Sequence, residues 1–233
     1  MSNNTDYITI ELPSSGILYN IQEPIQIRTF KGRDEKLIAE ITAENAEKKV
    51  STILTNVLKG IDPLELTLGD RLHILLWERI NSYGKMYDVR HTCEHCLNIS
   101  DYSVDLSKLE IVKLPKDFKE PFEERLPVSG EIVKLRLLRV SDMIKLDEML
   151  KQNQNIWLYR YALTIVNDKN VWDNLDYLEN LSTKDLLRIR AFQDKYIHGP
   201  KLETKYECPN CGGVGAMPIP FRPEILLPQN EVC

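Results

Sequence analysis

Apolar positions recur along this chain with two periods, and each period marks out one kind of element. Every second residue is apolar in Ile25-Gln26-Ile27-Arg28 and in Val133-Lys134-Leu135-Arg136, which predicts two short strands with one face buried. A helical stripe follows the first, through Leu37, Ile38, Ile41, Val50, Ile53, Leu54, Val57 and Leu58. Two more stripes run through Leu72, Leu75, Leu76 and Ile80, and through Leu186, Ile189 and Phe192. Thr67 and Ser182 precede these as N-caps, and the aspartate three residues on (Asp70, Asp185) resembles the acid of a capping box. Gly84 and Gly199 stand where a left-handed C-cap is expected, and Pro200 forbids further helix. Short extended segments, Met86 to Thr92 and Leu202 to Glu207, come next. The mixture predicts an α+β fold.

These elements occur twice in the same order. Superposing Cys93 on Cys208 also brings Leu66-Thr67-x-x-Asp70 onto Leu181-Ser182-x-x-Asp185, Leu72 onto Leu187, Ile74 onto Ile189 and Gly84 onto Gly199. Leu12-Pro13-Ser14-Ser15-Gly16 resembles Leu126-Pro127-Val128-Ser129-Gly130 at nearly the same spacing. Asp34 and Asp142, each expected just ahead of a helix, match at a shorter spacing, so the first copy has the longer hairpin loop. We therefore expect two pseudo-repeated halves, residues 1–96 and 126–216, each made of a hairpin, helices and a cysteine knuckle. Residues 97–125 are charged and hold Pro115 and Pro121, which predicts a linker running extended over the surface. Residues 217–233 form a proline-rich tail with Ile219, Phe221, Ile225, Leu226 and Leu227; these side chains either pack on their own domain or enter another chain's groove.

Cysteine spacing carries the chemistry. Cys93-Glu94-His95-Cys96 and Cys208-Pro209-Asn210-Cys211 are two C-x-x-C knuckles, and two knuckles together complete a tetrahedron of thiolates. Cys93, Cys96, Cys208 and Cys211 are thus expected to hold one structural zinc shared between the halves. A redox dithiol is the competing reading of the second pair, but Gly212-Gly213 follows at once and opposes the helix start such sites use. His91 and His95 flank the first knuckle; four thiolates make them unnecessary as ligands. His73 falls within an amphipathic helix, and His198 at a helix end where positive charge suits the dipole. Cys233 reads as a free thiol at a loose end.

The chain has 233 residues, 42% of them hydrophobic, enough for a substantial core in one large domain or two small ones. Charged residues make up 28% and the net charge is −5, an ordinary solvated surface that weighs against nucleic-acid binding. No apolar run is long enough to cross a bilayer, and Met1 to Asp6 lack a signal region. A reducing cytoplasm is therefore expected, where paired cysteines bind metal more often than they form disulfides. Gly212-Gly213-Val214-Gly215 lacks the lysine and following helix of a phosphate loop and reads as a turn. Nothing in the residue pattern points to nucleophilic catalysis or a small-molecule substrate, so an enzyme is not expected.

Read in order, Leu12-Pro13-Ser14-x-Gly16-x-x-Tyr19, Leu66-x-x-x-Asp70, Ser82-Tyr83-Gly84, the first knuckle, Leu126-Pro127-x-Ser129-Gly130 and the second knuckle resemble one family over nearly the whole chain. It is the baseplate hub family of T-even-like contractile-tailed phages. The resemblance implies a non-enzymatic tail protein, either a structural subunit of the hub or a chaperone of its assembly. Its partners would be other phage tail and baseplate proteins. Its place would be the host cytoplasm during assembly and, for a resident subunit, the virion tail baseplate. No catalytic residue comes with the resemblance, and the metal role of the four cysteines rests on their spacing. A zinc-bearing adaptor for nucleic acid or protein is the alternative reading.

Overall fold

In the computed structural model, which describes residues 6–152, 157–221 and 223–226, the alternating segments form strands and the capped stripes form helices. β1 (Ile8–Thr9), β2 (Gln26–Ile27) and β3 (Leu58–Lys59) make a three-stranded antiparallel sheet in that order. The long stripe between β2 and β3 is two helices rather than one, α1 (Gly32–Ala39) and α2 (Ala46–Val57), and Leu58 already belongs to β3. Asn45 accounts for the break. Its side-chain oxygen accepts the Thr42 amide at 2.8 Å and its nitrogen donates to the Glu40 carbonyl at 3.1 Å, which turns the chain between the helices. Helix α3 (Leu68–Tyr83) begins after Thr67 and stops at Gly84, whose φ of 92° suits glycine. β4 (Met86–Thr92) and β5 (Ile99–Asp105) then form a hairpin with the first knuckle as its turn.

Residues 97–125 are built into the molecule and do not run extended over its surface. They supply β5, β6 (Ile111–Val112) and β7 (Phe122–Arg125), and they bury Leu106, Leu109, Leu114 and Phe118. β8 (Ile132–Leu135) pairs with β7, and four helices follow: α4 (Val140–Lys151), α5 (Tyr159–Ala162), α6 (Val171–Glu179) and α7 (Thr183–Lys195). β9 (Gly199–Pro200) pairs with β6, and β10 (Glu203–Glu207) with β11 (Val214–Pro218) around the second knuckle. Gly199 is therefore not the cap of α7, which ends at Lys195; it lies in β9 opposite Val112 with a φ of 101°. Among the described residues the fold is seven helices with small antiparallel sheets.

Asp34 and Asp142 sit inside the first turns of α1 and α4, not ahead of them. Each accepts a backbone amide from the residue before its helix, Lys31 or Arg139, at 2.9 Å. Each also takes a two-pronged bond from the arginine immediately after the preceding strand. Arg28 reaches Asp34 at 2.6 and 3.2 Å, and Arg136 reaches Asp142 at 2.6 and 3.0 Å. Asp70 and Asp185 do not close capping boxes. They reach back to the Leu-Pro-x-Ser-Gly turns instead: Asp70 accepts the Ser14 amide at 2.9 Å, and Asp185 the Val128 and Ser129 amides at 2.8 and 3.1 Å. The turn motif and the capped-helix motif are thus two parts of one contact at both places where they occur.

Among the described residues, two large apolar cores and a small one form, the small one from Leu138, Leu146, Met149, Tyr159 and Leu163. The largest gathers Ile10 through Leu109 and then takes in Tyr206, Met217, Ile219, Ile225 and Leu226 from the far end of the chain. The other large core is built from Leu114, Phe118, Leu126, Leu135, Ile165, Ile189, Phe192 and their neighbours. The apolar tail residues Ile219, Ile225 and Leu226 therefore pack on their own chain, at 2%, 0% and 1% exposure. Leu227, Pro228, Cys233 and the first five residues lie outside the described part. The two large cores meet where the first turn of α3 touches residues 198 and 199. A Cβ on Gly69 would lie 2.2 Å from the His198 carbonyl oxygen, so only glycine permits this approach.

Ile225→Ala is expected to lower stability by about 2–5 kcal/mol, seen as a lower urea midpoint with little change in slope. A second expectation concerns Glu78, which is fully buried on α3, where Ser82 Oγ donates to it at 3.2 Å. Burial raises its pKa from the ordinary 4.5 to about 8. The folded chain thus holds a proton that the unfolded chain releases above about 4.5, so this residue makes stability fall as pH rises toward 8. Glu78→Gln should flatten that part of the stability–pH curve; an unchanged slope in urea titrations across the window would count against the assignment.

Candidate metal centre

Two hairpins present the cysteines. β4 and β5 close around Cys93 to Asn98, where the Cys93 amide donates to the Asn98 carbonyl and the Leu97 amide to the Cys93 carbonyl, both at 2.9 Å. β10 and β11 close around Cys208 to Gly213 with the same two bonds, Cys208 to Gly213 at 2.8 Å and Gly212 to Cys208 at 2.9 Å. The last strand pairs before each turn, Thr92 with Ile99 and Glu207 with Val214, also match in register. A left-handed residue completes both turns: Gly212 at φ 68° in one, and Leu97 at φ 61° in the other. That geometry comes freely to glycine and costs leucine about 1 kcal/mol.

The hairpins face each other, and all four sulfurs lie within 4.8 Å of one another. Cys93 Sγ is 3.8 Å from Cys211 Sγ, and Cys96 Sγ is 3.7 Å from Cys208 Sγ. Disulfide sulfurs would sit at about 2 Å. A regular tetrahedron with metal–sulfur bonds of about 2.3 Å has edges of about 3.8 Å. The four cysteines are therefore clustered as thiols in an arrangement compatible with a metal site. Cys93 and Cys208 are buried, Cys96 is half-buried and Cys211 is exposed.

The surroundings favour negative charge on some of these sulfurs. Burial works against a Cys93 thiolate, but the Cys96 and His95 amides outweigh it and draw the thiol down to about 6. Asn210 donates to Cys96 Sγ at 3.5 Å and leads the groups that lower that thiol. The Gly213 amide pulls Cys211 the same way, yet the neighbouring sulfurs and burial push it up to about 12. Thiolates this close repel one another, and a cation among them would offset that repulsion.

Several residues around the sulfurs were invisible to sequence reasoning. Tyr206 accepts the Glu94 amide at 3.3 Å, and its ring meets His91 edge-on at 4.6 Å and Tyr102 at 5.6 Å. His91 thus serves as packing under the knuckles. His95 is exposed and points its Nε2 across to the Val214 carbonyl at 3.3 Å. A Cβ on Gly213 would lie 2.4 Å from the His95 ring. The glycine cluster is half turn and half strand, since Val214 and Gly215 belong to β11.

His198 stands three residues beyond α7 and does not serve its dipole. It is buried against the other core, with Nε2 2.7 Å from Thr67 Oγ1 and 3.9 Å from Asp70 Oδ1. Its Nδ1 faces the Tyr196 carbonyl at 3.0 Å, leaving no carboxylate on that nitrogen to orient a general base. Thr67, 1% exposed, accepts the Asp70 amide as the cap of α3. Tyr19 donates to Asp70 at 2.6 Å and accepts the Thr67 amide at 2.9 Å. This cluster is a buried seam between the two cores. His73, the remaining histidine, is half-buried on α3, and desolvation lowers its pKa.

No helix among the described residues is long and apolar enough to cross a membrane. The sequence model of one protein family, described as T4 bacteriophage base plate protein, matches residues 4–215. No curated protein and no solved structure matches the chain.

Proposed function

Because the chain belongs to the T4 bacteriophage base plate protein family, we propose that it is a non-enzymatic component of the base plate hub that acts in contractile tail assembly. Its partners are other tail and base plate proteins. It works in the host cytoplasm while the tail is built, and at the virion base plate if it stays. The family match carries this reading. The buried polar groups support it, because they are spent on holding helices to turns and one core to the other.

We further propose that Cys93, Cys96, Cys208 and Cys211 hold one zinc ion. Four sulfurs at tetrahedral spacing fit that metal and leave it no open position for a substrate. Bound there, zinc supplies a cross-link between two distant stretches of chain. The ion would close a pair of related halves, residues 1–96 and 126–216, with 97–125 between them and 217–233 beyond. The matched arginine–aspartate clamps, aspartate-to-turn bonds and knuckle turns support this relation.

Elemental analysis of purified protein should find one zinc per chain; a folded, metal-free sample would refute the site. Cys93→Ser and Cys208→Ser should each destabilise the chain to a similar degree, with the double variant little worse than either. Quantitative proteomics of purified tails and tail precursors tests the hub reading. A fixed copy number in tails identifies a resident subunit, and presence on precursors alone identifies an assembly chaperone. Absence from both would end the proposal.

A further inference from the structure

The two knuckle hairpins are separate two-stranded sheets, so β5 and β10 each keep one edge without a strand partner among the described residues. Those strands border a common cleft of about 540 Å³. Its lining includes four consecutive residues of β5, Tyr102 to Asp105, and three of β10, Glu203 to Lys205. A strand that shows a cleft its face contributes every second residue; one that shows its edge contributes residues in succession. The cleft is therefore walled by backbone edges on both sides, and unpaired edge N–H and C=O groups accept an added strand. On β10 the Glu203 N–H already donates to the Lys201 carbonyl at 2.8 Å, so addition there falls to the residues after it. Val104, Leu109 and Met217 provide an apolar floor, all of them buried.

Charge narrows the choice of occupant. The acids at the cleft are already matched: Asp105 pairs with Lys85 at 3.1 Å, and Glu203 and Glu110 share Lys201 at 3.1 and 3.8 Å. Lys108 and Lys205, which also line it, have no ion-pair partner among the described residues. We propose that the cleft takes an extended, acidic segment of another tail protein as a strand between β5 and β10. Main-chain bonds to both edges hold it, and its carboxylates meet Lys108 and Lys205. The inference rests on the tail-assembly reading only for the source of that segment.

The test uses the full-length protein and overlapping 12-residue peptides that tile the other tail proteins encoded with it, together with peptides from its own two ends. An acidic peptide should bind and slow amide hydrogen exchange in both 102–105 and 204–205. Joint Lys108→Glu and Lys205→Glu substitution should weaken that binding by about tenfold or more with thermal unfolding unchanged, and the two Lys→Arg changes should preserve it. Binding that protects neither strand or only one overturns strand addition. Binding confined to peptides from the chain's own ends overturns the assignment to a partner, and no binding at all overturns the site. None of these failures touches the hub reading, which particle composition decides separately.

Discussion

Four aspartates shut away from water set the architecture of this protein. Asp34, Asp70, Asp142 and Asp185 are each at most 1% exposed, and each stands in the first turn of a helix. A charged carboxylate survives burial only when its oxygens are supplied with donors. Here the donors come from elsewhere in the chain, from arginines just after strands for one pair and from turn amides for the other. Each helix start is therefore fixed to the segment that precedes it in space, and the helices carry the strands and knuckles into position. The helix dipole adds to this, since its positive end faces the carboxylate.

What the sequence made legible follows from how local each cause is. Alternation at Ile25–Ile27 and Val133–Leu135, the caps Thr67 and Ser182, and the spacing of the cysteines are short-range signals, and all appear in the structure as expected. The capping-box reading of Asp70 and Asp185 failed because the competing donors come from residues far away in sequence. Pro115 and Pro121 made residues 97–125 look like a surface linker, yet Leu114 and Phe118 are buried by contacts that only the tertiary fold supplies. His198 was misplaced for the same reason: its partner, Thr67, lies on the opposite core. The split between α1 and α2 hung on the side chain of Asn45, a single polar residue inside an otherwise continuous stripe.

The candidate metal centre combines both kinds of cause. The four cysteines could be named from spacing, because a two-residue gap is a local requirement of a knuckle turn. Their aromatic support of His91, Tyr102 and Tyr206 could not, because those rings come from strands brought together only when the hairpins face each other. Leu97 is the odd member. It takes a left-handed conformation that its counterpart Gly212 adopts without strain, and its side chain is 75% exposed.

The make-up of the larger core has a consequence for the order of events at the ribosome. Apart from Val140, its buried residues come from positions up to Leu109 and then from Tyr206 to Leu226, with the second core encoded in between. An emerging N-terminal portion thus lacks part of its own interior until residues 206 to 226 have been made. Cys93 and Cys96 are made long before the sulfurs they face. The nascent chain must keep that first thiol pair reduced, and its unfinished apolar surface covered, while the residues from Leu97 to Cys208 are synthesised.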